Sequence, residues 1–359
     1  MTGRGDGPDT EGVGSALRSA PARFAEVAAL AGEGLTGQRA PGPLRSVVVC
    51  CGPRAAAGGE ALVALAGPAS EVPVATAPHT QLPGHVGGGC LVVVVALGEG
   101  EAALLEPAAA EAVDRGASVL LAGAGGQVAP AGHGGWEGLR PPGPVAPVAL
   151  APLVEVLPAL LAVAAWAGVL PDGPTALAEA RAGLDTAAAG WAGGPGTVAH
   201  EGLARRIGRG IPLFEGAAGV GAAAARSWRR SWNLLAKAPA IAAAEPGAAF
   251  AEVAGFGQLG DVTRQLLVLV SLRTAADAGE DRVRSDLLAE LAGEALAGWV
   301  EVEAAPDRPA GALAHLLWLG AATAYARARQ EGLDPGPVPA PAEVEARLWA
   351  TRRPSHRLA

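Results

Sequence analysis

The sequence predicts an α/β protein of two tandem halves, each a parallel sheet flanked by helices in the doubly wound, Rossmann-like manner. Three observations carry this. Apolar, β-branched runs without polar alternation recur in the first half, at 45–51, 91–95 and 118–122, with helix-like stretches ahead of the later two. Strands buried on both faces read this way, and parallel neighbours need helical crossovers. The composition turns to linker at Pro171-Asp172-Gly173, after which the pattern restarts, and 359 residues with 50% hydrophobic content suffice for two buried cores.

Residues 12–30 read as an amphipathic helix, and Arg45 to Cys51 as a short strand ending in small residues. Val145 to Leu170 is apolar and, at ~1.5 Å per residue, long enough to cross a bilayer. Glu155 near its middle and the interruptions at Pro147, Pro152 and Pro158 instead predict a strand end followed by a buried helix, so no membrane association is expected. In the second half, Ile211-Pro212-Leu213-Phe214 leads into Gly216 to Gly221 and a helix from about Ala222. Strands are expected at 249–254 and 266–270, and helices at 203–207, 281–297, 310–329 and 342–349. The domains are then an N-terminal helix and tail over 1–40, a first domain over 41–170, a second domain with C-terminal helices over 171–350, and a tail over 351–359.

Composition narrows the function classes. A net charge of −8 and a pI near 5.4 lack the basic footprint that a phosphate backbone requires, so nucleic acid is not an expected partner. Cys50, Cys51 and Cys90, odd in number and beside strand-like runs, fit reduced thiols in a cytosolic protein and indicate neither a disulfide framework nor a zinc site. Residues 1–10 are polar and glycine-rich with no apolar stretch of the signal-peptide kind. The six histidines, His79, His85, His133, His200, His315 and His356, hold no metal-ligand spacing, and no metal or cofactor is expected. The eight tryptophans fall mostly at helical spacing, which suits core or interface better than a sugar platform.

Asn233 and Lys237 are the only asparagine and the only lysine in the chain, four residues apart in Trp232-Asn233-Leu234-Leu235-Ala236-Lys237. At that spacing they share one face of a helix. The segment resembles the Asn-Glu-Asn-Ala-Lys stretch of the bifunctional phosphoglucose/phosphomannose isomerases of the sugar isomerase (SIS) superfamily, with Leu234 at the catalytic glutamate position. That resemblance implies a fold of two SIS domains and a homodimer. Cys50 to Leu62 is similar to the family's Cys-Gly-Met-Gly-Gly-Ser-x-Ile-x-Gly-Asp-x-Leu turn, which holds a sugar phosphate. Here Ala55 stands at the serine position, Gly59 is retained, and Pro53 removes a flexible glycine and one amide donor. The second phosphate loop, Ser-x-Ser-Gly-x-Thr-Glu-Glu-Thr in the family, corresponds to Ala96 through Leu104, so Ala96, Gly98, Glu101 and Leu104 take the hydroxyl positions. Glu99 and Glu101 bring carboxylates to where a dianion would sit. Two unit charges ~4 Å apart interact by roughly 1 kcal/mol in water and about 4 kcal/mol at an effective dielectric of 20, enough to cancel a phosphate contact. A plainer reading is that acidic residues early in a helix are favoured by its dipole. Val145 occupies the arginine position of the family's Pro-Arg-Ala motif.

In relatives the glutamate at position 234 shuttles a proton between C1 and C2 of the open-chain sugar, and a histidine opens the ring. The histidine motif corresponds to Pro246 through Glu252, with Phe250 at the histidine position and Glu252 matching a family glutamate. Leucine accepts no proton and phenylalanine donates none. Each missing acid or base costs ~10²–10⁴ in rate. No intact catalytic residue is expected, and Glu252, Lys237, Asn233 and His200 are the weak candidates left. A structural role for two of them is that Lys237 caps a helix C-terminus or pairs with Glu252, and that Asn233 bonds a turn backbone. Gly332-Leu333-Asp334-Pro335-Gly336-Pro337-Val338 also resembles the family, so the likeness runs from about Gly12 to Trp349. The resemblance implies a degenerate member acting by binding, with a sugar phosphate or another protein as partner. The alternatives are an active aldose-ketose isomerase using Glu252 or Glu215, and a structural or assembly protein.

Overall fold

The protein is seen in a computed structural model that describes residues 8–347 except 41, 68–69, 79–80, 132–144, 171, 193–198, 244–253, 258–260, 341–342 and 345. Helix α1 (Val13–Leu35) begins where Asp9 accepts hydrogen bonds from the amides of Val13, 2.8 Å, and Gly14, 2.9 Å. It buries Val13, Leu17, Ala20, Phe24, Val27 and Ala31, one stripe at the helical period.

The first sheet collects β1 (Ser46–Cys51), β2 (Val74–Ala77), β3 (Cys90–Ala96), β4 (Ser118–Gly123) and β5 (Val128–Pro130) in the order β2-β1-β3-β4-β5, with only β5 antiparallel. Helices α2 (Ala56–Ala66) and α3 (Glu99–Asp114) are its crossovers. Every residue of β1 and β3 is buried, which explains why their sequences carry no polar alternation.

A π-helical turn at Pro152–Val156 then feeds α4 (Leu157–Trp166), α5 (Gly173–Ala189) and α6 (Ala199–Ile207). The second sheet, order β7-β6-β8-β9 and all parallel, comprises β6 (Ile211–Gly216), β7 (Ile241–Ala243), β8 (Leu267–Arg273) and β9 (Gly298–Glu303). Between them run α7 (Val220–Ser231), the short α8 (Val262–Leu266) and α9 (Gly279–Ala292), and α10 (Pro309–Glu331) follows β9. Helix α7 runs on into a second π-helical turn, Trp232–Ala236. One apolar core unites side chains of both halves, including Leu62 and Leu157 with Phe214, Trp228 and Trp318. Trp228, Trp232 and Trp318 are fully buried.

Several expectations are corrected by the structure. Residues 145–150 form no strand: the Leu150 and Ala151 amides both donate to the Pro147 carbonyl, starting a turn that leads into the π-helical segment. Of the stretch expected as linker, Gly173 already begins α5, with Pro174 in its first turn, a position at which proline's missing N–H costs nothing. The expected strand at 249–254 falls outside the described residues except Ala254, which opens a turn, and the 342–349 helix is described only in part.

Glu155 has a clear packing role: its carboxylate accepts a forked pair from Arg23, 2.9 Å each, together with the amides of Gly125, 2.8 Å, and Ala146, 3.2 Å. Among the described residues, no helix is long and apolar enough to cross a membrane.

In each sheet the chain moves to one side of the first strand and then to the other, so a topological switch point lies between β1 and β3 and between β6 and β8. The crevice at the carboxyl ends of such strands is where open parallel sheets bind ligands.

Candidate functional site

At the first switch point the chain places a carboxylate of its own. Glu101, in the first turn of α3, is fully buried; its Oε1 accepts from the Arg54 amide and its Oε2 from the Leu97 amide, both at 2.7 Å. These donors belong to different loops, one after β1 and one after β3, so a single anion joins both strand ends. Gly52 makes room for it: a Cβ there would lie 2.4 Å from the Glu101 carboxyl carbon. Two converging backbone amides at helix N-termini are the usual cradle for an anionic group.

The plain dipole reading of this acidic pair therefore fits Glu99, which is exposed, and not Glu101. The sequence indicated a carboxylate near this place but gave no role to Arg54 or Gly52. The available signal was a glutamate in the first turn of the helix after a fully apolar strand.

The other family positions follow from the same loops. Ala55 is fully buried at the start of α2, and Ala96 ends β3 inside the core. Gly59 lets α2 approach β1 closely, since a Cβ would stand 2.9 Å from Cys51 Sγ. Gly98 precedes α3 with extended backbone, and Leu104 is buried. Val145 is elsewhere, lining a groove of about 610 Å³ with Ser15, Ser19, Arg23 and Glu26.

Helix α7 brings the second half to this crevice. Arg226 pairs with Glu60 of α2 at 2.6 Å, and Arg230 donates to the Arg54 carbonyl at 3.3 Å. The π-helical turn that follows holds Leu234, half-buried, in an open groove of about 480 Å³ with Asn233, Lys237, Pro239 and Pro337. Asn233 and Lys237 both line this groove but do not share the helix face expected of them, because Lys237 has left the helix. It adopts the left-handed conformation, φ 54°, and its Nζ donates to the carbonyls of Leu234, 2.7 Å, Pro335, 3.2 Å, and Pro337, 2.6 Å. The ammonium caps the turn and pins the Gly332–Val338 segment to it; partial loss of solvent lowers its pKa. Phe250 and Glu252 lie outside the described residues.

His200 belongs to an aromatic cluster. It stacks on Trp191 at 4.8 Å and meets the edge of Trp318 at 6.0 Å; burial lowers its pKa to about 4, so the ring is neutral at neutral pH. Glu215, the acid considered as a substitute base, is buried one residue before the end of β6, where it accepts from Ser285 Oγ at 2.9 Å with Arg284 3.9 Å away; burial raises its pKa. Among the described residues no group of three potential metal ligands converges.

Residues 199–348 match the family model of the bacterial phospho-glucose isomerase C-terminal SIS domain. No curated protein matches the sequence. Solved structures resemble the chain along nearly its whole length at low identity, which shows the fold. The C-terminal domain of glucosamine-fructose-6-phosphate aminotransferase from Francisella tularensis is 12% identical, covering 91% of this chain and 96% of its own, with a TM-score of 0.62. A glucose-6-phosphate isomerase-like protein from Thermus thermophilus is 17% identical, covering 92% and 98%, with a TM-score of 0.54. A hypothetical protein of the same organism is 15% identical, covering 97% and 91%, with a TM-score of 0.66. Residues 199–348 are thus similar to the bacterial phospho-glucose isomerase C-terminal SIS domain, and the chain as a whole shares the fold of these solved structures.

Proposed function

We propose that this SIS-fold protein acts by binding and does not interconvert aldose and ketose phosphates. One observation carries the reading: among the described residues lining the groove at residues 233–240, the only ionisable side chain is Lys237, and its ammonium donates to three backbone carbonyls. Proton transfer between neighbouring carbons needs a group that alternately takes and gives a proton within hydrogen-bond reach. Leu234 does neither, and the alternative acid Glu215 is held by Ser285 beside α9. The relatives named above as acting on phosphosugars suggest the ancestry, and the resemblance supports a cytoplasmic protein without a cofactor, working as a homodimer or with another protein.

The test is turnover. Purified protein with fructose 6-phosphate or mannose 6-phosphate and a coupled dehydrogenase is expected to show no rate above background, because each absent acid or base removes ~10²–10⁴. Clear conversion would overturn the reading. Thermal shifts with phosphorylated and unphosphorylated sugars then identify a small ligand, and their absence with every sugar points to a protein partner.

A further inference from the structure

We propose that Glu101 is a built-in occupant of the anion cradle of the first domain, so that whatever binds this cleft carries no phosphate at that position. The inference rests on the reading of the protein as a binder and names the class of ligand: neutral or unphosphorylated at the first switch point.

Three features of the geometry lead there. The carboxylate is fully buried and accepts from the amides of Arg54 and Leu97, one from each strand-end loop. Both oxygens are bonded at 2.7 Å, in the range of charge-assisted bonds. The carboxyl group lies against Gly52, where no Cβ would fit, so the space is shaped to an anionic group of this size. Beside it the Arg54 guanidinium approaches Gly98, and its Nε is buried without a hydrogen-bond partner among the described residues. A phosphate seeking these amides would have to displace a group already held by them, against the repulsion of its charge.

The consequence is that removing the carboxylate creates an anion site. Glu101→Ser shortens the side chain and leaves both amides facing the vacated space. With inorganic phosphate as probe, the amide resonances of residues 54 and 97 are followed by NMR in the wild type and the variant. Expected is a saturable shift of both in Glu101→Ser, with phosphate affinity about tenfold or more above wild type, the worth of one charge-assisted bond. Wild-type amides that shift with the same affinity, or a folded variant whose amides stay still, would overturn the proposal.

Should Glu101→Ser fail to fold alone, Gly52→Ala supplies a second measurement. Its Cβ would clash with the seated carboxylate, so the loss it causes is expected to be largely relieved when Glu101→Ser is added, and strictly additive losses would count against the seating. Isomerase turnover by the wild type would sink the functional reading while leaving the amide shifts interpretable. Phosphate binding at the wild-type amides would sink this inference while leaving the lack of turnover in place.

Discussion

Between β1 and β3 the first half seats one carboxylate on two backbone amides, whereas around β6 and β8 the second half builds a network of side chains. There Arg273, buried at the end of β8, reaches Asp286 at 2.5 Å, and its Nε lies 2.9 Å from Glu301, an ion pair by proximity only since the N–H is not directed at the oxygen. Glu215 is held by Ser285 in the same layer. The difference is one of replaceability. Backbone amides keep their positions when a side chain changes and therefore preserve an anion cradle; a network of side chains vanishes with its members.

The largest effects come from the glycines at the two turns. Gly216→Ala would put a Cβ 2.5 Å from the Gly221 backbone, which cannot swing away, and is expected to cost more than about 3 kcal/mol or prevent folding. Gly52→Ala meets a side chain instead and should cost less, about 1–3 kcal/mol by urea unfolding. Equal losses would erase the distinction between a rigid turn and a turn closed by a movable carboxylate.

Next come the two buried acids. Glu101 accepts from two N–H groups, and glutamine would turn its own NH₂ toward one of them, so Glu101→Gln is expected to cost about 2–4 kcal/mol. Glu215 is a carboxyl whose burial favours the neutral form, and Glu215→Gln should stay within about 1 kcal/mol. A reversed order in denaturant melts would break the comparison. Lys237→Met removes bonds to three carbonyls at an exposed position, and about 1 kcal/mol is expected, with faster proteolysis near residues 332–338 as a second readout.

The smallest effect at neutral pH belongs to His200. Its folded pKa, about 4, lies below the ordinary value of 6.5, so the unfolded chain takes up the proton first. The stability it contributes is complete above about pH 6.5 and is lost as pH falls toward 4, by up to roughly 3 kcal/mol. His200→Phe keeps the stacking ring and should flatten the fall of Tm with acid; an unchanged slope would show that the ring is not neutral in the cluster.

How much was legible follows the range of the forces involved. The buried strands β1, β3 and β8 announced themselves because burial on both faces demands unbroken apolar runs. The edge strands β2 and β7 did not, being short and partly exposed, and β5 ends in proline. The Asn233–Lys237 spacing was readable, yet the carbonyls that hold the ammonium include two about a hundred positions further on. His200 gave no local sign of Trp191 and Trp318, the rings that make it a core residue.

The sequence by itself determined two α/β halves, a likeness to sugar isomerases, and a leucine, which carries no proton, at position 234, because hydropathy period and side-chain chemistry are local properties. Only the tertiary structure decided what Glu101 does. A carboxylate early in a helix is ordinarily a solvated charge, and it becomes the occupant of a cradle only when two strand ends converge, each bringing an amide to one of its oxygens.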